Sequence, residues 1–188
     1  MAKDSFDKYI EHQVKAFKKL PKRVRDEINE RLTIYKASFV TAMEGCESPI
    51  EQLMIVHLID LEQELMKSLF ELGKKFEVYL KKQEIVETEN GKRFRLDFSV
   101  ECSIEEENYK FAIECDGHDF HEKTKEQVTR DKSRDRDLTK LGYTVIRFSG
   151  SEIWKDPSRC VREVGSIINK TTGIDDFYQK MIVQMYER

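Results

Sequence analysis

Three consecutive segments, KFEVYLKKQEIV, KRFRLDFSVECSI and NYKFAIECDG, alternate or run apolar and are separated by turn signals, Asn90 and Gly91 among them. Period-two patterning marks strands, and three such strands joined by short turns read as an antiparallel meander. The flanking sequence switches to helical spacing. Ahead of the strands, CESPIEQLMIVHLIDLEQELMKSLFELG places Ile50, Leu53, Met54, His57, Leu58, Leu61, Leu65, Leu69 and Leu72 on one helical stripe, with Gly73 suited to ending it. That helix is expected to pack on the sheet. After Gly117 a helical pattern runs to about Leu141, Gly142 closes it, and YTVIRF follows as a short, mostly apolar strand. From about Ser151 the chain reads as helices, with Pro157 near the start of one. The expected fold is α/β: a mixed central sheet of about four strands flanked by helices.

Residues 1–45 read as two charged helices broken at Pro21, an accessory layer ahead of a domain spanning residues 46–188. With 188 residues, 39% of them apolar and 37% charged, the chain has enough apolar content for one core with decoration. No apolar run approaches the roughly 18 residues that span a bilayer, and the charged start MAKDSFDKYIEH lacks the apolar stretch of a signal peptide. No membrane partner and a cytoplasmic location are therefore expected. Cys46, Cys102, Cys115 and Cys160 are widely spaced without a CxxC pair, which fits reduced thiols. The net charge of −3 gives no overall attraction to nucleic acid, yet KAFKKLPKRVR, residues 15–25, holds six basic residues and no acid. Lys18, Lys19, Lys22 and Arg23 are candidates to contact a phosphate backbone; the plainer reading is a solvated helix end and turn.

The acids carry the chemistry. In RFRLDFSV the residues Phe94, Leu96, Phe98 and Val100 share one strand face, which turns Asp97 to the other. In NYKFAIECDG the residues Tyr109, Phe111, Ile113 and Cys115 share a face, which turns Glu114 and Asp116 away. A hairpin loop centred between Glu105 and Glu106 makes paired residue numbers sum to 211 and sets Asp97 opposite Glu114. Carboxylates that face each other with Cβ atoms roughly 5 Å apart either raise a pKa or share a cation; the alternative is an acidic solvent face. Magnesium takes one or two carboxylates with waters and substrate phosphate, so the pair suits it. Glu51 follows Ser48 and Pro49 in a capping box, where its ordinary task is to bind back to the amide of Ser48. His118 and His121, three apart, either meet on one helical turn or are simply exposed. A zinc set of Cys115, Asp116, His118 and His121 does not match the common ligand spacings.

Taken together, SPIEQL, RLDF, FAIECDGHDFHEKTKEQ and DKSRDRDLTKLGYTVIRFSGSEI resemble the PD-(D/E)xK nuclease superfamily, and within it the endonuclease-like domains related to very short patch repair endonucleases. The resemblance covers roughly residues 46–168. It implies a restriction-endonuclease-like fold and a metal-dependent nuclease. The family's metal-binding aspartate falls on Asp97, the acid of the next strand on Glu114, and the helix glutamate on Glu51. A Mg2+ ion, or Mn2+ in its place, would be held by Asp97, Glu114 and the backbone carbonyl of Cys115. The superfamily commonly has lysine two residues after the second acid, where this chain has Asp116. The resemblance then leaves lysine's task to Lys123 or Lys125, or general-acid work to His121. Lys123 is also a candidate phosphate contact. Arg134, Asp135, Leu138, Gly142 and Arg147 match the family's RD, L, G and VIRF pattern and read as ion-pair residues between helix and sheet edge.

The expected activity is hydrolysis of a nucleic-acid phosphodiester, with DNA favoured over RNA as partner. The rival is a nucleic-acid-binding module of the same fold that has lost cleavage, supported by the missing lysine. A third class is an interaction protein whose N-terminal helices form a homodimer.

Overall fold

The computed structural model describes residues 5–117 and 124–174, with side chains described from His12 onward except that of Lys125. Two helices come first, α1 (Ser5–Lys19) and α2 (Lys22–Met43), with Pro21 as the residue that caps the second. They belong to a compact unit, Met1–Glu44, separate from a second unit, Gly45–Arg188. No residue of α2 is buried.

In the second unit, α3 (Pro49–Glu71) is followed by β1 (Phe76–Glu87), β2 (Arg93–Ile104), β3 (Glu107–Asp116), α4 (Lys125–Lys140), β4 (Tyr143–Ser149), α5 (Gly150–Lys155) and α6 (Pro157–Thr172). The four strands form one sheet in chain order, β1 and β3 antiparallel to β2, and β4 parallel to β3. A parallel neighbour needs a crossover, and α4 supplies it. This is the mixed, helix-flanked α/β sheet expected from the sequence. In α3 the stripe Met54, Ile55, Leu58, Leu61, Leu65 and Leu69 is buried, and the helix packs on β1 and α6.

α4 is almost entirely polar and would be marginal alone. A capping box at Thr124 and Gln127 starts it, and Gly142, at φ 85°, takes the left-handed turn that leads from its end into β4. Leu138, the one buried side chain among those described in this helix, sits with Leu96, Ala112 and Tyr143 in a cluster fringed by Val86, Phe94, Leu141 and Val145. Asp131, Arg134 and Asp135 occupy the same half-buried face at helical spacing from Leu138. One leucine therefore anchors the face that carries these three charged residues inward.

The β2–β3 register has the anticipated sum, running from Ile104↔Glu107 to Phe98↔Ile113. The single-face assignment of Phe94, Leu96, Phe98 and Val100 fails. Leu96 and Phe94 join Ala112 under α4, whereas Phe98 and Val100 pair with Ile113 and Phe111, residues of the opposite parity to Ala112. The same inversion is visible on β1. Lys81 sits across from Ser99, yet Ser99 Oγ donates to Glu84 Oε2 (2.6 Å) and Lys81 Nζ reaches both Glu84 (2.9 Å) and Glu101 (2.7 Å). Residues three apart on a regular strand cannot share a face. Between the pairs Lys82↔Phe98 and Glu84↔Leu96 the ladder omits one position, Gln83 opposite Asp97, and there Gln83 adopts φ 52°. The pleat reverses at that point on both strands.

Truncating Leu138 to alanine should lower unfolding stability by about 2–5 kcal/mol, the usual cost of deleting a buried leucine side chain. Urea unfolding followed by circular dichroism checks this; a loss well below that range would mean that α4 is held by its charged residues instead.

Candidate active site

Four acids from three elements converge on the segment around Cys115. Asp97 comes from β2, Glu114 and Asp116 from the end of β3, and Glu51 from the first turn of α3. The Cys115 thiol is pushed up by burial and then by the negative charges of Asp97, Glu51, Glu114 and Asp116. A single side chain thus feels all four carboxylates.

Asp97 and Glu114 lie one step beyond the last bonded β2–β3 pair, Phe98↔Ile113. The Cys115 amide donates instead to Asp97 Oδ2, at 2.7 Å. Burial raises the Asp97 pKa; the bond from Cys115 works against that, while Glu51 and Asp116 add repulsion. Glu114, only 3% exposed, is pushed up to about 7, first by burial and then by Asp97 and Asp116, against the attraction of Arg134 and Arg147.

Two arginines offset the crowding. Arg134 Nη2 donates to Glu114 Oε1 (2.8 Å) and to the carbonyl of Arg95, and its guanidinium lies 5.8 Å from the centre of the Phe94 ring. Arg147, across the parallel ladder from Glu114, donates through Nη1 to Asp116 Oδ1 (3.1 Å) and through Nε and Nη2 to Asp135 Oδ1 (3.0 and 2.8 Å). Burial alone would lower the Arg147 pKa, but the bond to Asp135 and the charges of Glu114, Asp116 and Asp135 carry it upward. The ion-pair reading of Arg134, Asp135 and Arg147 is what the structure shows. What the sequence did not reveal is that the pairs close on Glu114 and Asp116 themselves.

Glu51 differs from the expected capping box in one bond. Ser48 Oγ accepts from the Glu51 amide (3.3 Å), but the Glu51 carboxylate reaches the amide of Glu47 (2.9 Å), not that of Ser48, and also accepts from Ser48 Oγ (2.7 Å). A third donor, Gln83 Nε2, lies 2.9 Å from Glu51 Oε2. Gln83 escaped the sequence reading; the polar run Lys81–Glu84, which interrupts the alternation of its strand, was the available signal.

His118, Asp119, His121 and Lys123 lie outside the described residues, as does the side chain of Lys125. Lys18, Lys19, Lys22 and Arg23 are exposed at the end of α1 and the start of α2, in the other unit. All four cysteines are free. Among the described residues no helix is long and apolar enough to cross a membrane, and no group of three or more Asp, Glu, His or Cys side chains is placed to hold a metal ion. Magnesium does not require three such side chains, since one or two carboxylates suffice when water and phosphate complete its shell. Hard oxygen donors whose mutual repulsion a cation would relieve fit such an ion.

A mixed four-stranded sheet flanked by helices, with acids gathered where the β2–β3 ladder ends, defines a restriction-endonuclease-like α/β domain. The family model REase_MTES_1575 matches residues 63–168, more than half of the chain, and the chain belongs to that restriction endonuclease-like family. At this level the resemblance to the PD-(D/E)xK superfamily holds. The matched segment takes in Gln83, Asp97, Glu114, Asp116, Arg134 and Arg147 and begins beyond Glu51. No curated protein and no solved structure matches the chain.

A pH series in chelator tests the electrostatics. Because the folded pKa of Glu114 (about 7) lies above its ordinary 4.5, its stabilising contribution is complete below pH 4.5 and is lost as pH rises through 7. The stability difference between the wild type and Glu114→Gln should therefore drift against the wild type across that window. A difference independent of pH in urea unfolding would show that Glu114 titrates normally.

Proposed function

We propose that this protein is a divalent-metal-dependent endonuclease acting on DNA, related to the very short patch repair endonucleases, whose site is centred on Asp97 and Glu114. The observation that carries this reading is the gathering of Asp97, Glu114, Asp116 and Glu51 around Cys115 in a restriction endonuclease-like chain. Asp97, Glu114 and the carbonyl of Cys115 would hold Mg2+ or Mn2+. Such an ion, when bound, neutralises charge at the phosphate and makes the attacking water more acidic. Glu51 has four lone-pair positions on its carboxylate and accepts three bonds from protein groups, which leaves capacity to orient a water. Arg147, tied to Asp116 at the family's lysine position, brings positive charge to the place where lysine would stabilise the phosphate. By the same resemblance His121 acts as general acid, and Lys125 contributes positive charge.

Residues 46–188 form the catalytic domain in this reading and residues 1–45 a helical extension. The division of the chain into compact units at Glu44 and Gly45 supports it. Lys18, Lys19, Lys22 and Arg23 on that extension, and Lys123, would contact the phosphate backbone. The absence of buried residues from α2 is compatible with a homodimer through these helices.

A second reading, a binding module without cleavage, is favoured by one observation: Asp116 stands where lysine is usual, and its charge is offset by Arg147 within the protein. Plasmid nicking separates the two. With Mg2+ or Mn2+ the wild type should cut, and Asp97→Ala should lose more than the roughly 10–100-fold typical of an outer partner of a metal ligand. Gel-shift binding in chelator should be unchanged by that substitution. A wild type that shifts DNA yet cuts neither DNA nor RNA with either metal would establish the binding module.

A further inference from the structure

We propose that Gln83 is a positioning residue of the carboxylate site, holding Glu51 through Nε2 and leaving Oε1 to accept a hydrogen bond from the hydration shell of the divalent cation. This rests on the metal-dependent reading above and adds to it a residue from β1, outside the acids.

Three observations point the same way. First, Gln83 takes φ 52° in mid-strand, and the only other non-glycine residue with positive φ among those described is Glu105, in the β2–β3 turn. A left-handed non-glycine residue costs on the order of 1–3 kcal/mol and persists where surrounding structure demands it, commonly at functional sites. Second, the peptide reversal falls opposite Asp97, at the one position missing from an otherwise unbroken β1–β2 ladder. Asp97 is thereby freed from a cross-strand bonded pair at the point where its carboxylate accepts from Cys115. Third, the side chain is half used: Nε2 donates to Glu51 Oε2 at 2.9 Å, while Oε1 is buried with no hydrogen-bond partner.

A buried acceptor left unpaired costs roughly 1–3 kcal/mol, and a neighbouring carboxyl group could satisfy it only while it kept its proton, since an ionised carboxylate has no donor. A hydrated cation would, since its waters present only protons outward. The carboxamide is thus matched to its two neighbours, a donor toward Glu51 and an acceptor toward a hydrated ion. A glutamate or a lysine could meet only one of those demands.

The test is Mn2+ titration by isothermal calorimetry on the full chain without nucleic acid, comparing wild type, Gln83→Gly and Glu114→Gln. Glycine accepts the left-handed backbone without strain, so Gln83→Gly removes the carboxamide and preserves the fold. Expected are unchanged thermal unfolding in chelator and Mn2+ affinity weakened about 10–100-fold, the range for outer partners of metal ligands. Gln83→Asn, which also tolerates positive φ but is one methylene too short to reach Glu51, should show the same loss and serves if the glycine variant is unstable. Wild-type affinity in both variants overturns the role of Gln83 alone. No Mn2+ binding by the wild type, or binding unaffected by Glu114→Gln, overturns the metal-dependent reading and this proposal with it.

Discussion

Burying several carboxylates within reach of one another is the constraint to which the rest of this fold answers. Glu51 and Glu114 are almost inaccessible, and Asp97 and Asp116 are only partly exposed. Desolvation and like-charge repulsion both oppose ionisation here, and burial heads the causes that raise Asp97 and Glu114. Such a group survives in a folded chain only if counter-charges and hydrogen bonds are built in beside it. Arg134 arrives from α4 and Arg147 from β4, so the crossover that makes β4 parallel to β3 also delivers the compensating charge. Leu138 fixes the rotation of α4 that points Arg134 and Asp135 toward the sheet. Core packing and site electrostatics are thus linked through one helical face.

The sheet itself is bent to the same purpose. A regular β1–β2 pair would keep Gln83 and Asp97 in the ladder and hold one pleat phase from end to end. Reversal at that pair lets the sheet face Ser99, Glu101 and Lys81 as a polar network on one side of the break and Leu96 and Val86 as a cluster under α4 on the other. The backbone strain sits at the position where an acid is presented, and the register on either side is unaltered.

Much of this was legible from residue order. The meander, the helix before it, the parallel strand after it and the β2–β3 register all follow from apolar spacing and turn residues, because local periodicity and tight loops fix them. The closeness of Asp97 to Glu114 follows from the hairpin register, whereas Glu51 joined them only through the resemblance to the nuclease superfamily. The pleat reversal was not legible: alternation predicts a single face for Phe94 through Val100, and a left-handed glutamine has no turn residue to announce it. Nor were the partners of Arg134 and Arg147, because pairs separated by 20 and 31 positions depend on how α4 and β4 dock. The Glu51 bond to Glu47 in place of Ser48 is a smaller instance, decided by the path of the chain entering α3.

Charge bookkeeping gives Asp116 a sense that its sequence position alone does not. Four acids, Glu51, Asp97, Glu114 and Asp116, against two arginines, Arg134 and Arg147, leave a formal charge of −2 among these six groups when all are ionised. A lysine in place of Asp116 would remove one negative charge and add a positive one, taking the same set to zero. It would also deprive Arg147 of a partner that now shares it with Asp135. Asp116 and Arg147 therefore belong together: the arginine brings a positive charge from the neighbouring strand, and the acid helps hold it beside Glu114. Burial and the neighbouring acids push Glu114 upward while Arg134 and Arg147 pull against them, so the arginines limit the cost of the charge that is buried here.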